Sequence, residues 1–379
     1  MKILITASIF PPEIGGPATY AYEFSKRVAE LGHKVRVVTL TDIKSATLMG
    51  VEVSQVKRSR HKFLRQSALF SKILEKGRSC DVIYAQNPAA IGLPSVLAGK
   101  ILRRPVVVKY VGDSAWEKAF RDGKTNKLLE DFLEEPDANK HIIGVQRQVF
   151  KKARRIIVPS RFLAGILKRF YKVPESRIRV IPNAVHLEEL ARVRKKRLMG
   201  RNIITVCRLV RWKGVQDIIR VLPEVLEEAP DTRLLIVGEG PYKEELEKLV
   251  DDLGLKNKVK FLGRLPHREA VRYIASANLF VLNSLYEGMP HVLIEAMAVG
   301  TPVVATGVCG IPEIVEDGKN GVLVKPNSKK QLRDATIDLL MDREKAEKLA
   351  EEAKDIVKEY SWSNLLDRTL SVLEEEIKK

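Results

Sequence analysis

The chain has 379 residues, 45% of them hydrophobic and 30% charged, which excludes a disordered or fibrous protein and exceeds what one core usually organises. Its three cysteines, Cys80, Cys207 and Cys309, are scattered without a CxxC, so neither a disulfide scaffold nor a structural zinc site is expected. The formal net charge is +18, and residues 1–190, with 34 basic and 18 acidic side chains, carry +16 of it. That half should meet a polyanion: nucleic acid, an anionic membrane surface or a phosphate-bearing substrate.

In chain order, residues 1–7 read as a buried strand and not as a signal peptide, because the apolar run is short, cut by two prolines and lacks a small-residue cleavage site. Further short apolar runs at 35–40, 82–85, 106–111 and 156–158 are typical of parallel strands covered on both faces. A helical pattern at 20–31 closes on Gly32. The alternation restarts near residue 200, with strands at 203–206, 234–237, 259–262, 279–282, 303–305 and 321–324 and helices at 215–229 and 242–253. Two βαβ series imply an α/β protein of two doubly wound domains whose binding crevices lie at the carboxyl ends of their strands. The join is placed in the charged stretch up to residue 201. No run approaches 18 apolar residues, so no membrane span is expected and the chain should stay in the cytoplasm.

The segment 283–305, NSLYEGMPHVLIEAMAVGTPVVA, is the most informative. It leaves a strand, passes Glu287 and Gly288, and enters a helix near Pro290, where free N–H groups offer an anion site. Glu295 lies inside that helix in apolar surroundings, where an unpaired carboxylate is costly. A solvated glutamate on an amphipathic helix is the plainer alternative. Arg208 and Lys213 follow the first strand of the second half, where fixed cations could neutralise a diphosphate. Gly238, Glu239 and Gly240 form a glycine-rich turn after the next strand, and Gly15 and Gly16 join the first strand of the chain to its helix. The latter is not a GxGxxG, and Walker, HExxH and GxSxG motifs are missing. His33, His61, His141, His186, His267 and His291 lack metal-ligand spacing.

With those motifs read, the whole chain resembles the GT-B glycosyltransferases of family 4, the retaining nucleotide-sugar enzymes. The likeness is carried by FPPEIGGPATYAYEFSKRVAELGHKVRVVT, CRLVRWKGV, IVGEGP, FLGRL, SLYEGMPHVLIEAMAVGTPVVAT and GIPEIVEDGKNGVLV. It implies an acceptor-side Rossmann-like domain at 1–185, a linker at 186–201, a donor-binding domain at 202–362, and a helix at 363–379 crossing back to the first domain. It also implies that Arg208 and Lys213 hold the donor diphosphate, that Glu287 meets the transferred sugar, and that Glu295 binds ribose. Gly288, Met289, Pro290, His291, Val292 and Leu293 would contact donor sugar and phosphates. Gly263, Arg264 and Leu265 would flank the base, and Gly16 would approach the phosphate from the first domain. No metal and no cofactor beyond the nucleotide-sugar substrate is implied.

The chain departs from that family at three places. Val111 stands where many relatives have a histidine, which leaves Asp113 or Lys109 to contact sugar or acceptor. Gln86 and Asn87 replace another histidine, and the frequent PNGV reads Pro182, Asn183, Ala184, Val185. Stretches 56–78 and 148–172 mix basic with apolar residues at near-helical spacing, as a surface docking on anionic lipid would, or as an ordinary amphipathic helix with a solvated face. The resulting expectation is a hexosyltransferase acting on a lipid-linked or glycan acceptor of the cell envelope, peripheral on the inner membrane face. An enzyme with a soluble acceptor, of the sucrose-phosphate-synthase kind, or a nucleotide-sugar epimerase is the alternative. No module for nucleic acid is present.

Overall fold

The computed structural model describes residues 1–13, 15–58 and 61–379, apart from the side chain of Lys62. The chain divides into two units, Met1–Pro182 with Leu365–Lys379, and Asn183–Asn364. The first contains β1 (Lys2–Ala7), α1 (Gly16–Glu30), β2 (Lys34–Leu40), β3 (Val51–Val56), α2 (Lys62–Gly77), β4 (Val82–Ala85), α3 (Leu93–Leu102), β5 (Val106–Lys109), α4 (Ser114–Arg121), α5 (Leu129–Glu134), α6 (Lys140–Lys152), β6 (Arg155–Val158), α7 (Arg161–Tyr171) and β7 (Ile178–Val180). The second contains α8 (Leu187–Leu190), β8 (Asn202–Val206), α9 (Val215–Glu228), β9 (Arg233–Val237), α10 (Lys243–Asp252), β10 (Val259–Gly263), α11 (His267–Ser276), β11 (Leu279–Leu282), α12 (His291–Ala298), β12 (Val303–Thr306), β13 (Val322–Val324), α13 (Lys329–Met341) and α14 (Arg343–Ile356). The last helix, α15 (Trp362–Ile377), begins in the second unit and continues into the first.

Among the described residues the first unit holds a seven-stranded sheet of order β3-β2-β1-β4-β5-β6-β7. The second holds a six-stranded sheet of order β10-β9-β8-β11-β12-β13, and both are parallel throughout. Strand order therefore reverses between β1 and β4 and again between β8 and β11. In doubly wound sheets ligands bind at the carboxyl ends of the strands beside such a reversal.

Alternation along the strands explains the two-sided burial. In the second unit Ile203, Leu234, Ile236, Leu279 and Val281 enter one core, while Ile204, Leu235, Val237, Phe280 and Leu282 enter the other. All six strands expected in this half are present. The sequence reading missed β3 and β7, edge strands whose residues are only partly buried and therefore lack a continuous apolar run. Helix α1 starts at Gly16, earlier than expected, with Pro17 in its first turn, where a missing N–H costs nothing.

The C-terminal part of α15 is fixed to the first unit by charge. Glu376 is almost wholly buried and accepts from Arg155 Nε at 2.6 Å and Arg154 Nε at 2.9 Å. Burial pushes its carboxyl up, but the hydrogen bonds from Lys379 and Arg155 outweigh this and hold it below the ordinary glutamate value. Arg154 and Arg155 belong to the stretch 148–172, as do Lys168 and Arg169, which pair with Glu175, Glu130 and Glu134. Leu163, Ile166, Leu167 and Tyr171 of the same stretch are buried. Arg154, Arg155, Lys168 and Arg169, four of the eight basic side chains of 148–172, thus have glutamate partners, and the apolar face of α7 is core.

Candidate active site

In the second unit, the turns after β8, β9 and β11 are stitched together by backbone. Cys207 N donates to Val237 O, Leu209 N to Glu239 O and Tyr242 N to Leu209 O. Such close contact leaves no room for side chains. A Cβ on Gly238 would lie 1.8 Å from Cys207 O, and one on Gly240 2.1 Å from Leu209 O. The glycines of this turn are therefore required by packing, which clamps the segment carrying Arg208 from both sides. Arg208 itself is exposed, as is Glu239.

The β8 turn meets the β11 turn in the same way. Gly214 has φ +66° and a Cβ on it would lie 2.0 Å from Asn283 O, Asn283 Nδ2 donates to Gly214 O at 3.1 Å, and Leu285 N donates to Trp212 O at 2.7 Å. This juxtaposition places Lys213 Nζ 2.5 Å from Glu287 Oε1. Ser284 Oγ donates to the same oxygen at 2.7 Å. Glu287 is only 8% exposed, and its backbone carbonyl accepts from Gly310 N at 3.1 Å. Beside the pair, burial pushes the Cys207 thiol up to about 12, which keeps it protonated and unreactive.

Pro290 is the N-cap of α12, one residue outside the position expected from sequence. Met289 and Leu293 are core residues, and Met289 sulfur accepts from Asn183 N at 3.2 Å. Their side chains belong to the core, so any ligand contact there falls to the backbone. His291 and Val292 are half-buried. Glu295 is half-buried, and its Oε1 lies 2.8 Å from His267 Nε2 at the start of α11. Between β10 and α11, Gly263 has φ +64° and accepts from Gly238 N at 2.8 Å, Arg264 is exposed and Leu265 packs on the core. The partnership of His267 with Glu295 was not anticipated, since residues 28 apart share no sequence spacing.

In the first unit, Gly15 and Gly16 sit at the start of α1, and a Cβ on Gly16 would meet nothing within 4 Å. Asp113 requires a correction. It is wholly buried, caps α4 through Ala115 N and Trp116 N, and also accepts from Gln146 Nε2 at 2.9 Å, from Tyr110 and from Tyr171. Both carboxylate oxygens are occupied by the protein's own donors, so its role is to hold the β5–α4 turn and not to contact sugar or acceptor. Lys109 is likewise buried, with its ammonium 4.1 Å from the Tyr20 ring centre, and burial lowers its pKa to about 7. Its side chain, too, is withdrawn from a ligand.

The chain thus carries two parallel doubly wound sheets, the second with a Lys–Glu pair beside its strand reversal. The sequence matches the family model "Glycosyl transferases group 1" over residues 188–356 and "Glycosyltransferase Family 4" over residues 14–189. An uncharacterised glycosyltransferase of Methanocaldococcus jannaschii is 28% identical over 98% of this chain and 97% of its own. A GDP-mannose-dependent α-(1-6)-phosphatidylinositol monomannoside mannosyltransferase of Mycolicibacterium smegmatis is 39% identical over 41% of this chain and 43% of its own. The crystal structure of Anabaena HepE in complex with UDP shares the fold, with a TM-score of 0.79 and 23% identity over 99% of this chain and 100% of that one. The chain belongs to the GT-B glycosyltransferases of family 4.

Proposed function

We propose that the chain transfers a hexose-type sugar from a nucleoside diphosphate sugar, with retention of anomeric configuration, to a lipid-linked or glycan acceptor. The observation that carries this reading is the Lys213–Glu287 pair at the β8/β11 reversal. Lys213 and the exposed Arg208 hold the diphosphate, and charge develops on that group as the bond from the anomeric carbon to the β-phosphate oxygen breaks. The electron pair of that bond stays on the diphosphate. The acceptor hydroxyl oxygen then adds to the oxocarbenium-like carbon from the same face, and its proton passes to the departing phosphate oxygen. Glu287 Oε1 is taken by Lys213 and Ser284, which leaves Oε2 for a sugar hydroxyl. Glu295 binds ribose. Fixed cations take the part a metal plays in other transferases, so turnover should not require one.

The acceptor reading rests on the first unit. Phe63 and Leu64, at the start of α2, are 76% and 66% exposed and lie next to His61 and Arg65. Single exposed apolar residues are ordinary, but an adjacent pair on a basic unit suits insertion into an anionic lipid surface. Residues 59 and 60 of that stretch lie outside the described residues. Among the described residues no helix is long and apolar enough to cross a membrane. The relative that acts on phosphatidylinositol monomannoside has an acceptor of this kind.

A test is release of nucleoside diphosphate from UDP-glucose, UDP-N-acetylglucosamine and GDP-mannose, with and without anionic vesicles carrying glycolipid. Turnover of one donor by the wild type, and turnover at least about 10²-fold slower by Glu287→Gln, supports the reading. Equal turnover by both proteins would contradict it.

A further inference from the structure

We propose that His267 is a positioning residue for donor binding, fixing the carboxylate of Glu295 and making donor affinity depend on pH. The proposal rests on the reading that Glu295 meets the ribose.

Glu295 has one carboxylate to offer a diol, and an unrestrained side chain would lose rotamer freedom on binding it. His267 removes part of that cost in advance. Its Nε2 lies 2.8 Å from Oε1 of Glu295, which leaves Oε2 as the acceptor for a ligand. The ring stands at the first residue of α11, directly after the turn that carries Arg264 and Leu265. One contact therefore ties the turn expected to flank the base to the helix that carries the ribose carboxylate.

The contact is sensitive to protonation. The His267 side chain is 60% exposed, and the hydrogen bond it donates to Glu295 raises its pKa above the ordinary value over the smaller, opposing effect of desolvation, with the charge of Glu189 on α8 adding to the rise. His267 and Glu189 line a cavity of about 580 Å³ together with Arg192 and Arg194, which follow α8, and Arg268, Glu269 and Arg272 on α11 itself. Glu269 is engaged by Lys196 and Arg272 and Glu189 lies 3.5 Å from His186 Nδ1, so Glu295, at 2.8 Å, is the anion paired with the ring. A group whose pKa is raised by its partner keeps that partnership below the ordinary value of 6.5 and loses it as pH rises through the raised value. Above that point the imidazole is neutral, and a tautomer with its proton on Nδ1 would turn a lone pair toward Glu295. Donor affinity should fall accordingly.

Calorimetric titration of UDP, GDP and ADP into wild type, His267→Ala, His267→Gln and Glu295→Ala, between pH 6 and 8.5, tests this. The terminal phosphate titrates near the same range, so the quantity read is the difference in slope between wild type and variants. For the nucleotide that binds, His267→Ala should weaken affinity about fivefold at pH 6, the loss of one charge-assisted contact acting through a neighbour. The wild-type fall in affinity should be reduced in His267→Ala and His267→Gln, and the glutamine, which still donates, should recover part of the pH 6 affinity. In turnover, KM for the donor should rise more than kcat falls. If Glu295→Ala weakens binding while His267→Ala matches wild type in affinity and slope, the inference fails and the ribose reading stands. If Glu295→Ala binds as tightly as wild type, or if none of the three nucleotides binds, the ribose reading fails and takes the inference with it.

Discussion

The two units present similar residue types at the carboxyl ends of similar sheets and use them in opposite ways. After β8 and β11, Lys213 and Glu287 pair at a reversal of strand order, with Glu287 accepting from Lys213 and Ser284 through one carboxylate oxygen. At the end of β5, Lys109 and Asp113 are folded inward, the lysine over Tyr20 and the aspartate into a set of five donors. The difference lies in what surrounds each group. Backbone-to-backbone packing around Gly214, Gly238 and Gly240 holds the second unit's turns side by side. In the first unit Tyr20, Tyr84, Tyr110 and Tyr171 fill the corresponding space with rings and hydroxyls. A charged residue at a strand end is available to a ligand only where the fold leaves its polar atoms incompletely used.

The contrast can be broken by mutation. The largest effect is expected in the second unit, where Lys213→Ala and Glu287→Gln should each lower kcat/KM by about 10²–10³-fold, the loss usual for one transition-state contact. Their melting temperatures should stay close to wild type. In the first unit, Glu376→Gln leaves Arg155 without its buried partner and should cost about 3 kcal/mol in denaturant unfolding. Because the folded carboxyl lies below its ordinary value, that stabilisation is present above pH 4.5 and fades as pH drops through the folded value. Lys109→Met should have the opposite sign and stabilise by about 1–3 kcal/mol, the cost of a buried group without a hydrogen-bond partner. Between pH 7 and 10.5 the unfolded lysine binds a proton that the folded one does not, so wild-type stability rises with pH across that window. The methionine variant should lack that slope, which thermal melts at several pH values will show. Smallest is Phe63→Asp, expected to weaken sedimentation with anionic vesicles several-fold at low salt and to leave donor turnover in solution unchanged.

Much of the second unit was legible because its signals are local. Continuous apolar strands, turn glycines and the spacing from Glu287 to Glu295 all lie within one stretch of chain, and each survives into the structure. The first unit was less legible for a physical reason. The burial of Lys109 depends on Tyr20, 89 residues away, and the occupation of Asp113 depends on Gln146 and Tyr171. Long-range packing of that kind leaves no periodicity to read. The turn at Gly238 was visible as glycine-rich, but only the proximity of Cys207 O explains why a side chain is impossible there. The acidic partners of four cations in 148–172, Glu130, Glu134, Glu175 and Glu376, lie outside that stretch and so could not be read from it.

The central claim is that the β8/β11 reversal binds a nucleoside diphosphate through fixed cations. Calorimetry of UDP, GDP and ADP in the presence of EDTA, with wild type and Lys213→Ala, tests it most directly. One nucleotide should bind the wild type with undiminished affinity in EDTA and bind the variant at least tenfold more weakly. Binding that vanishes with EDTA, or that Lys213→Ala leaves untouched, would contradict it.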